Sequence, residues 1–404
     1  MKTIPTKSAT FLRMMAALVA PMLLTIAPLL GQEPVDARQM FDGAMRPRDA
    51  VNTLENSDRL FPVREIKRGG SVRALPVSKM PLQNVRFEVN GKHYDLYDYL
   101  ALNRVAGLLV LKNGEIALED YELGAGTQTR WASFSMGKSV SSTLIGAALA
   151  DGAIASLDDP VTRYVPQLKN GAYDGVTVRN VIQMASGVKW DETYTDPKSD
   201  RRKLLDVQLQ TKPGAILPFM SALPRAGAPG TIWNYNTGET FVVGAVLEAA
   251  THRPLATYLT EKIWSRWGME NDAKWWLESP NGMGWGGGGI SATLRDFGRF
   301  GLFVLADGVI DGKRTVPAGW FDEAGSPKEV GGKMVDYGYL WWTMPKGDPV
   351  LQGAFEAIGI FGQHMYINRR ANLVIVVLSA RPKPTGSTVV EDRAFFTAVT
   401  KTLE

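Results

Sequence analysis

The sequence predicts an α/β (α+β) fold. Its antiparallel sheet is made from both ends of the chain, is flanked by helices, and carries a mainly helical inserted region. Three observations support this prediction. One strand–turn–strand pattern occurs near residue 113 and a second near residue 370, helical patterns fill the chain between them, and a further helix follows the second pattern. The two strand pairs can join in one sheet, and the helices between and after them can then cover the apolar faces of that sheet.

The first strand pair lies in the segment GLLVLKNGEIALEDYEL (Gly107–Leu123), where two apolar runs flank Asn113 and Gly114. An Asn-Gly dipeptide favours the left-handed backbone of a two-residue hairpin turn. The second pair lies in GQHMYINRRANLVIVVLSA, where a short polar turn separates two apolar runs, and a last helix is expected at about Asp392–Leu403. These two segments supply the halves of the predicted sheet.

The inserted helical region is expected at about residues 160–330. Apolar residues fall there on one face of a helix, at Val178, Val181, Ile182 and Ala185. Phe241–Ala250 is a second apolar run of helical length. Residues 32–84 are rich in Arg, Pro and Gly and lack a strong period. We therefore expect an extended N-terminal arm that packs on a main domain formed by residues 85–404.

The chain begins with a basic and then apolar segment. Three basic residues precede an apolar run of 17 residues from Met14 to Leu30. A basic start followed by an apolar run is typical of a secretory signal, and this run is short for a membrane-spanning helix of about 20 residues. We therefore predict that residues 1–31 are a signal peptide and that the mature protein is periplasmic or secreted. Retention as an inner-membrane anchor is the alternative.

Composition limits the choice of partners. The formal net charge is +4, and residues 1–31 carry three positive and no negative charges, so the mature chain has a net charge of +1. A nearly neutral chain without a basic run is not expected to bind nucleic acid. His93, His252 and His364 form no pair with the spacing of metal ligands, so a zinc site is not expected. No motif in the sequence implies another cofactor. The absence of cysteine excludes lipid attachment through that residue.

A serine and a lysine three residues apart stand out in RWASFSMGKSVSSTLIGAALADG, at Ser135 and Lys138. Residues at this spacing share one face of a helix. A serine hydroxyl becomes a nucleophile when a base takes its proton. A lysine can be that base only if burial or a neighbouring cation lowers its pKa, and the apolar helix after Lys138 would supply the burial. By itself, the pattern equally fits a helix cap followed by a solvated lysine.

Two further segments give this pair a context. Tyr235-Asn236-Thr237 comes just before an apolar helical run, and FEAIGIFGQHMYINRRANLVIVVLS is a glycine-punctuated entry into a strand pair. With Ser135-x-x-Lys138, they resemble the serine hydrolases of the class C β-lactamase superfamily. That superfamily includes esterases, D-peptidases and 6-aminohexanoate-dimer (nylon oligomer) hydrolases. The resemblance extends from about Phe61 to the C-terminus.

The resemblance implies a β-lactamase/transpeptidase-like fold and an acyl-enzyme mechanism. Ser135 would be the nucleophile, and Lys138 with Tyr235 would transfer the proton, either of the two being the base. Thr237 replaces the last Asn of the family's Y-x-N motif, and this departure argues against a polar role for its side chain.

The family's third motif is altered in this chain. It normally reads Lys or His, then Ser or Thr, then Gly, whereas the matching triplet here is Ala357-Ile358-Gly359. The glycine and the strand remain, so the backbone amides of Ser135 and Ile360 are expected to form the oxyanion hole, because a backbone N–H needs no particular side chain. The missing cation argues against β-lactams and D-Ala-D-Ala peptides as main substrates.

The pattern is closest to the 6-aminohexanoate-dimer hydrolases and the esterases of the superfamily. The segment KWDETYTDPKSD resembles a loop in which a tyrosine reaches the cleft, and this implies that Tyr194, together with Gly359, contacts the substrate. The expected function is that of an exported serine hydrolase acting on small carboxylic esters or linear amides. The alternatives are a penicillin-binding D-peptidase or β-lactamase, and a non-catalytic protein that binds cell-wall fragments.

Overall fold

The computed structural model describes residues 33–345 and 347–404. Its strands are β1 (Val63–Ile66), β2 (Arg86–Val89), β3 (Lys92–Asp95), β4 (Val105–Lys112), β5 (Glu115–Tyr121), β6 (Arg130–Ala132), β7 (Ala273–Trp276), β8 (Ile290–Thr293), β9 (Val309–Ile310), β10 (Lys313–Arg314), β11 (Lys328–Val330), β12 (Lys333–Val335), β13 (Trp342–Thr343), β14 (Ala354–Gly359), β15 (Gln363–Asn368) and β16 (Leu373–Ser379). Its helices are α1 (Ala37–Phe41), α2 (Pro47–Glu55), α3 (Leu96–Leu102), α4 (Met136–Ala150), α5 (Val161–Tyr164), α6 (Val178–Ile182), α7 (Asp200–Leu209), α8 (Ile216–Ser221), α9 (Thr237–Thr251), α10 (Leu255–Leu259), α11 (Ser265–Trp267), α12 (Leu294–Leu305), α13 (Trp320–Ala324) and α14 (Asp392–Leu403).

The main sheet is antiparallel and has the strand order β13-β14-β15-β16-β4-β5. Strand β16, near the C-terminus, pairs with β4, so the two chain ends form one sheet as predicted. The β4–β5 turn is also as predicted, because Asn113 and Gly114 both have positive φ, at 54° and 83°. The predicted fold class is confirmed.

Helices cover both faces of this sheet. Along β4, Leu109 and Leu111 belong to the larger core cluster, which includes Phe300 of α12. The alternate residues Leu108 and Val110 belong to a second cluster, which includes the aromatic side chains of α14. Successive strand residues point to opposite faces, so a strand that is covered on both sides is apolar at nearly every position.

The N-terminal segment differs from the extended arm that was predicted. It forms α1, α2 and β1, and β1 pairs with β7 in a smaller sheet of order β1-β7-β8-β6. Met40, Phe41 and Leu54 are buried in the main core, and residues 33–404 form one compact unit. Helices as short as α1 present too few turns for a periodic apolar pattern, and this is why the segment looked irregular. The predicted signal peptide lies outside the described residues.

The inserted region contains helices α5 to α13, but it also contributes β7 and β8 to the smaller sheet. That sheet ends at β6, and the chain passes from β6 into α4 through Ser133, Phe134 and Ser135. The smaller sheet therefore fixes the start of the helix that carries Lys138. Within the part of the chain described here, none of the helices has both the length and the apolar character needed to cross a bilayer.

Candidate active site

Ser135 sits at a tight turn between β6 and α4, where it occupies the N-cap position of the helix. The preceding residue, Phe134, has a positive φ of 43°, which is uncommon for a residue with a side chain. Gly288 packs against this turn so closely that a Cβ there would lie 2.3 Å from the Phe134 carbonyl oxygen. Gly288 thus allows the close packing that holds this turn, and the turn presents Ser135 to a cleft.

Lys138 lies one helical turn after Ser135, as the three-residue spacing predicts. Its Nζ is 2.7 Å from Ser135 Oγ. It also donates to Thr237 Oγ1 at 3.1 Å and to the Gly287 carbonyl oxygen at 2.9 Å. A neutral amine has two N–H groups and one lone pair. The carbonyl and the threonine hydroxyl can take the two N–H groups, which leaves the lone pair for the Ser135 proton.

The pKa of Lys138 is suited to accepting the proton of the Ser135 hydroxyl. The side chain is 1% exposed. Burial lowers its pKa from the ordinary 10.5 to about 7, the charge of Glu192 opposes this shift, and the charge of Arg201 reinforces it. Lys138 is therefore partly neutral at pH 7, whereas an ordinary lysine is almost fully charged.

Tyr235 precedes α9 and lines the same cleft as Ser135. Its ring centroid is 5.1 Å from Lys138 Nζ, and the ring stacks on Trp342 at a centroid distance of 5.5 Å. Burial and the charge of Glu192 raise the pKa of Tyr235, and a hydrogen bond with Ser135 only partly opposes this rise. Tyr235 therefore keeps its proton at neutral pH.

The side chain of Thr237 has a polar role, contrary to the prediction from sequence. Its hydroxyl accepts from Lys138 and donates to Glu192 Oε1, and its backbone N–H donates to Glu192 Oε2 at 2.9 Å. The carboxylate of Glu192 also accepts from Trp190 Nε1 at 2.5 Å. The prediction was wrong because a threonine hydroxyl can accept one hydrogen bond and donate another, and here it links Lys138 to Glu192. Glu192 was not predicted as a site residue.

One of the two residues predicted to form the oxyanion hole, Ile360, directly follows the end of β14. Ile360 and Ser135 both line the cleft, and Gly359 precedes Ile360 at the end of the strand. A Cβ on Gly359 would lie 2.3 Å from the Ser133 carbonyl oxygen. Glycine is therefore needed for the strand to approach the turn that carries Ser135. This requirement explains why Gly359 remains although the cation and the hydroxyl of the third motif are absent.

The cleft has a volume of about 410 Å³. Tyr235, Trp342 and Ile358 provide apolar walls, and Tyr194 lines the cleft with them. The ring of Tyr194 stacks on Phe41 of α1, with centroids 6.1 Å apart. The structure thus brings Ser135, Tyr235, Ile360, Tyr194 and Gly359 to one cleft, with Lys138 buried beneath Ser135.

One end of the cleft is lined by a charge cluster of His364, Arg381 and Asp392, with Glu356 behind them. His364 lies 3.0 Å from Glu356 and 3.2 Å from Asp392, and Arg381 donates to Asp392 at 2.5 Å. Burial lowers the pKa of His364, but the two carboxylates outweigh it and raise the pKa to about 9. Each cation in this cluster is therefore paired with at least one carboxylate, and Asp392 is shared by His364 and Arg381. Among the described residues, no three or more His, Cys, Asp or Glu side chains are arranged so that they could hold a metal ion.

Comparison with known proteins places the chain in a family. The beta-lactamase family model matches residues 103–398. The 6-aminohexanoate-dimer hydrolase of Paenarthrobacter ureafaciens is 31% identical over 305 residues, which cover 72% of this chain and 76% of the relative. Esterase EstB of Burkholderia gladioli is 24% identical over 336 residues, covering 67% of this chain and 84% of the esterase.

A solved structure agrees with this placement. It is that of a Bacillus anthracis protein with the provisional name 6-aminohexanoate-dimer hydrolase, and it superposes with a TM-score of 0.73 at 23% identity. The match covers 83% of this chain and 89% of the other. Since the family model spans most of the chain and one relative exceeds 30% identity over more than two thirds of it, the chain belongs to the beta-lactamase family and is a hydrolase with the fold of that family.

Proposed function

We propose that the protein is a serine hydrolase that cleaves carboxylic esters or linear amides through an acyl-enzyme. The observation that carries this proposal is the 2.7 Å contact between Ser135 Oγ and the buried amine of Lys138. A buried amine with a pKa of about 7 can accept the serine proton at neutral pH. The relatives named esterase and 6-aminohexanoate-dimer hydrolase support this class of substrate.

In the acylation step, Ser135 Oγ attacks the substrate carbonyl while its proton passes to Lys138 Nζ. The resulting oxyanion accepts hydrogen bonds from the backbone N–H groups of Ser135 and Ile360. When the carbonyl re-forms, the bond to the leaving group breaks, and the leaving oxygen or nitrogen takes a proton that passes from Lys138 directly or through Tyr235. Because Tyr235 stays protonated at neutral pH, it suits the relay and Lys138 suits the base.

In the deacylation step, water replaces the serine hydroxyl as the nucleophile. Lys138 takes a proton from the water, and the hydroxyl attacks the acyl carbonyl. The bond from the carbonyl carbon to Ser135 Oγ then breaks, and Oγ recovers the proton. One molecule of water is consumed, and the products are an acid and an alcohol or amine. Glu192 and Thr237 hold the Lys138 amine in place through both steps.

Esters should be better substrates than β-lactams. The third motif has no cation, because Ala357 is buried and Ile358 presents an apolar side chain to the cleft. A charge-assisted hydrogen bond to a carboxylate contributes about 1.5–3 kcal/mol, so its loss costs a β-lactam about 10- to 150-fold. We expect kcat/KM for p-nitrophenyl butyrate to exceed that for nitrocefin by at least about 10-fold. A wild-type enzyme that hydrolyses nitrocefin faster than the ester would instead be a β-lactamase.

We further propose that residues 1–31 direct export. The support for this proposal is the basic start and the apolar run of 17 residues from Met14 to Leu30. N-terminal sequencing of protein from the periplasm or the medium of the native host should begin near Gln32. Recovery of an uncleaved chain in the membrane fraction would favour the anchor.

A further inference from the structure

Arg201 is a buried cation close to the nucleophile. It lies in the first turn of α7 and is 4% exposed. Its guanidinium carbon is 4.4 Å from the ring centroid of Phe41 and 5.9 Å from that of Trp285. Aromatic faces attract a cation, but they supply no lone pair for its N–H groups. These two contacts therefore place the guanidinium without satisfying its hydrogen bonds.

Arg201 also has no acidic partner within the part of the chain that the structure describes. Across residues 33–345 and 347–404, no carboxylate forms a salt bridge with it, and its Nε and Nη1 atoms, which are buried, donate to no acceptor. The neighbouring Arg202 shows the usual arrangement, because its Nη1 donates to Asp42 at 2.6 Å and to the Tyr194 carbonyl oxygen at 3.1 Å. A buried charge without a partner is costly, so its presence requires an explanation.

Among the described residues, the carboxylate whose charge acts most on Arg201 forms no hydrogen bond with its buried Nε and Nη1 atoms. Glu192 influences the pKa of Arg201 through its charge. However, its two oxygens already accept hydrogen bonds from Trp190 and from the backbone and hydroxyl of Thr237. Glu192 therefore binds Thr237, which contacts Lys138. The buried N–H groups of Arg201 remain available for a ligand.

Arg201 lines a narrow cavity that meets the main cleft. The residues common to both are Ser135, Tyr194 and Ile360. The narrow cavity has a volume of about 20 Å³, and its other walls include Phe41, Trp276 and Trp285. One water needs roughly 10–15 Å³ by this measure, so the space admits one or two oxygen-sized atoms. A carboxylate group has two such oxygens, and a guanidinium is the side chain that best matches its geometry.

We propose that Arg201 forms an anion subsite beside Ser135 and that the preferred substrates carry a carboxylate at the end of a short acyl chain, as half-esters or half-amides of dicarboxylic acids do. This inference rests on the proposed function and narrows its substrate class. It does not conflict with the expected preference for esters over β-lactams. That preference rests on the absence of a cation on β14, where the third motif lies, whereas Arg201 lies on α7. The aromatic walls keep water from the guanidinium and so strengthen its attraction for the carboxylate.

Matched pairs of esters test the proposal. The mono-p-nitrophenyl esters of succinic, glutaric and adipic acid are each compared with the neutral ester of the same chain length. Hydrolysis in the presence of Ser135→Ala protein is subtracted as background. We expect at least one half-ester to have a higher kcat/KM than its neutral counterpart. Arg201→Gln should lower that ratio by about 10- to 150-fold, the effect of losing one charge-assisted hydrogen bond.

Arg202→Gln is the matched control, because it removes an adjacent buried guanidinium that Asp42 already neutralises, and it should leave the ratio unchanged. A second measurement does not need turnover. Free glutarate should bind wild-type protein in a calorimetric titration and should not bind Arg201→Gln or, if that variant fails to fold, should bind Arg201→Lys more weakly than wild type. The subsite is overturned if no half-ester has a higher kcat/KM than its neutral counterpart. It is also overturned if Arg201→Gln lowers kcat/KM equally for the half-ester and the neutral ester. Absence of hydrolysis of every ester, with glutarate still bound, would instead overturn the proposed function and leave the subsite standing.

Discussion

Replacing Ser135 with alanine should reduce kcat for ester hydrolysis by on the order of 10⁶-fold, as expected when a hydrolase loses its serine nucleophile. The reason is geometric. Ser135 is the hydroxyl that lies 2.7 Å from the Lys138 amine and also lines the cleft. Without its oxygen no acyl-enzyme can form, although the cleft and the backbone amides at positions 135 and 360, which are proposed to bind the oxyanion, remain. Residual activity should therefore come only from substrate binding and from attack by water.

A fluorophosphonate probe provides the complementary measurement. It should label wild-type protein at Ser135, as mapped by mass spectrometry, and should not label Ser135→Ala. Ser142→Ala is a suitable control, because Ser142 is buried on the same helix and its hydroxyl has no hydrogen-bond partner among the described residues. Labelling at another serine would contradict the assignment. Absence of labelling in wild-type protein would favour a non-catalytic protein that binds cell-wall fragments.

The parts of the site that could be predicted from sequence are those fixed by local geometry or by the family resemblance. The Ser135–Lys138 contact follows from the period of one helix. Tyr235 and Ile360 were expected because the segments around them resemble those of the superfamily, and the structure places both at the cleft.

Glu192 and Arg201 could not be predicted in this way. Glu192 meets Thr237 across 45 residues of sequence. Arg201 lies over Phe41 of the N-terminal segment, whose position depends on the packing of α1 and on the pairing of β1 with β7. A sequence pattern shows only the type and the spacing of residues. Whether a guanidinium has a carboxylate partner depends on residues that are distant in sequence and near in space. Such a feature becomes visible only when the tertiary structure has assembled its surroundings.

The sheet was easier to predict than the N-terminal segment for a related reason. The Asn113-Gly114 turn and the apolar runs that flank it determine a hairpin locally. By contrast, β1 has four residues and becomes a strand through pairing with β7, more than 200 residues away. Its own residues show no alternation that would indicate a buried face.

Lys138 should control both the pH dependence of the reaction and the stability of the fold. As a base it acts in its neutral form, so kcat/KM should rise about tenfold per pH unit on the acid side and level off above pH 7, the pKa of the amine. If Tyr235 were the base instead, the rate would continue to rise beyond pH 10, because burial raises the pKa of that tyrosine. The pH profile thus distinguishes the two candidates that the sequence left open.

Lys138→Met should lower kcat by about 10²–10⁴-fold, the contribution of a general acid–base group, and change KM much less. The expected effect on stability is opposite in sign. The pKa of Lys138 is about 7 in the folded protein and 10.5 ordinarily, so the unfolded chain binds more protons between these values. Keeping the amine therefore costs about 4 kcal/mol at pH 7 and below, and this cost disappears as the pH rises toward 10.5.

Methionine removes that cost and fills a similar volume. The Gly287 carbonyl loses the Lys138 donor, at about 1–3 kcal/mol, whereas the Thr237 hydroxyl keeps its hydrogen bond to Glu192. The free energy of unfolding of Lys138→Met at pH 7 should thus exceed that of wild type by about 2 kcal/mol, and the difference should shrink toward pH 10. Chemical denaturation at pH 7 and pH 10 measures both values. If the variant is inactive and less stable than wild type at pH 7, Lys138 is charged in the folded protein and stabilises the site by ion pairing. If the variant is inactive and more stable, the neutral amine beside Ser135 lowers the stability of the wild-type fold.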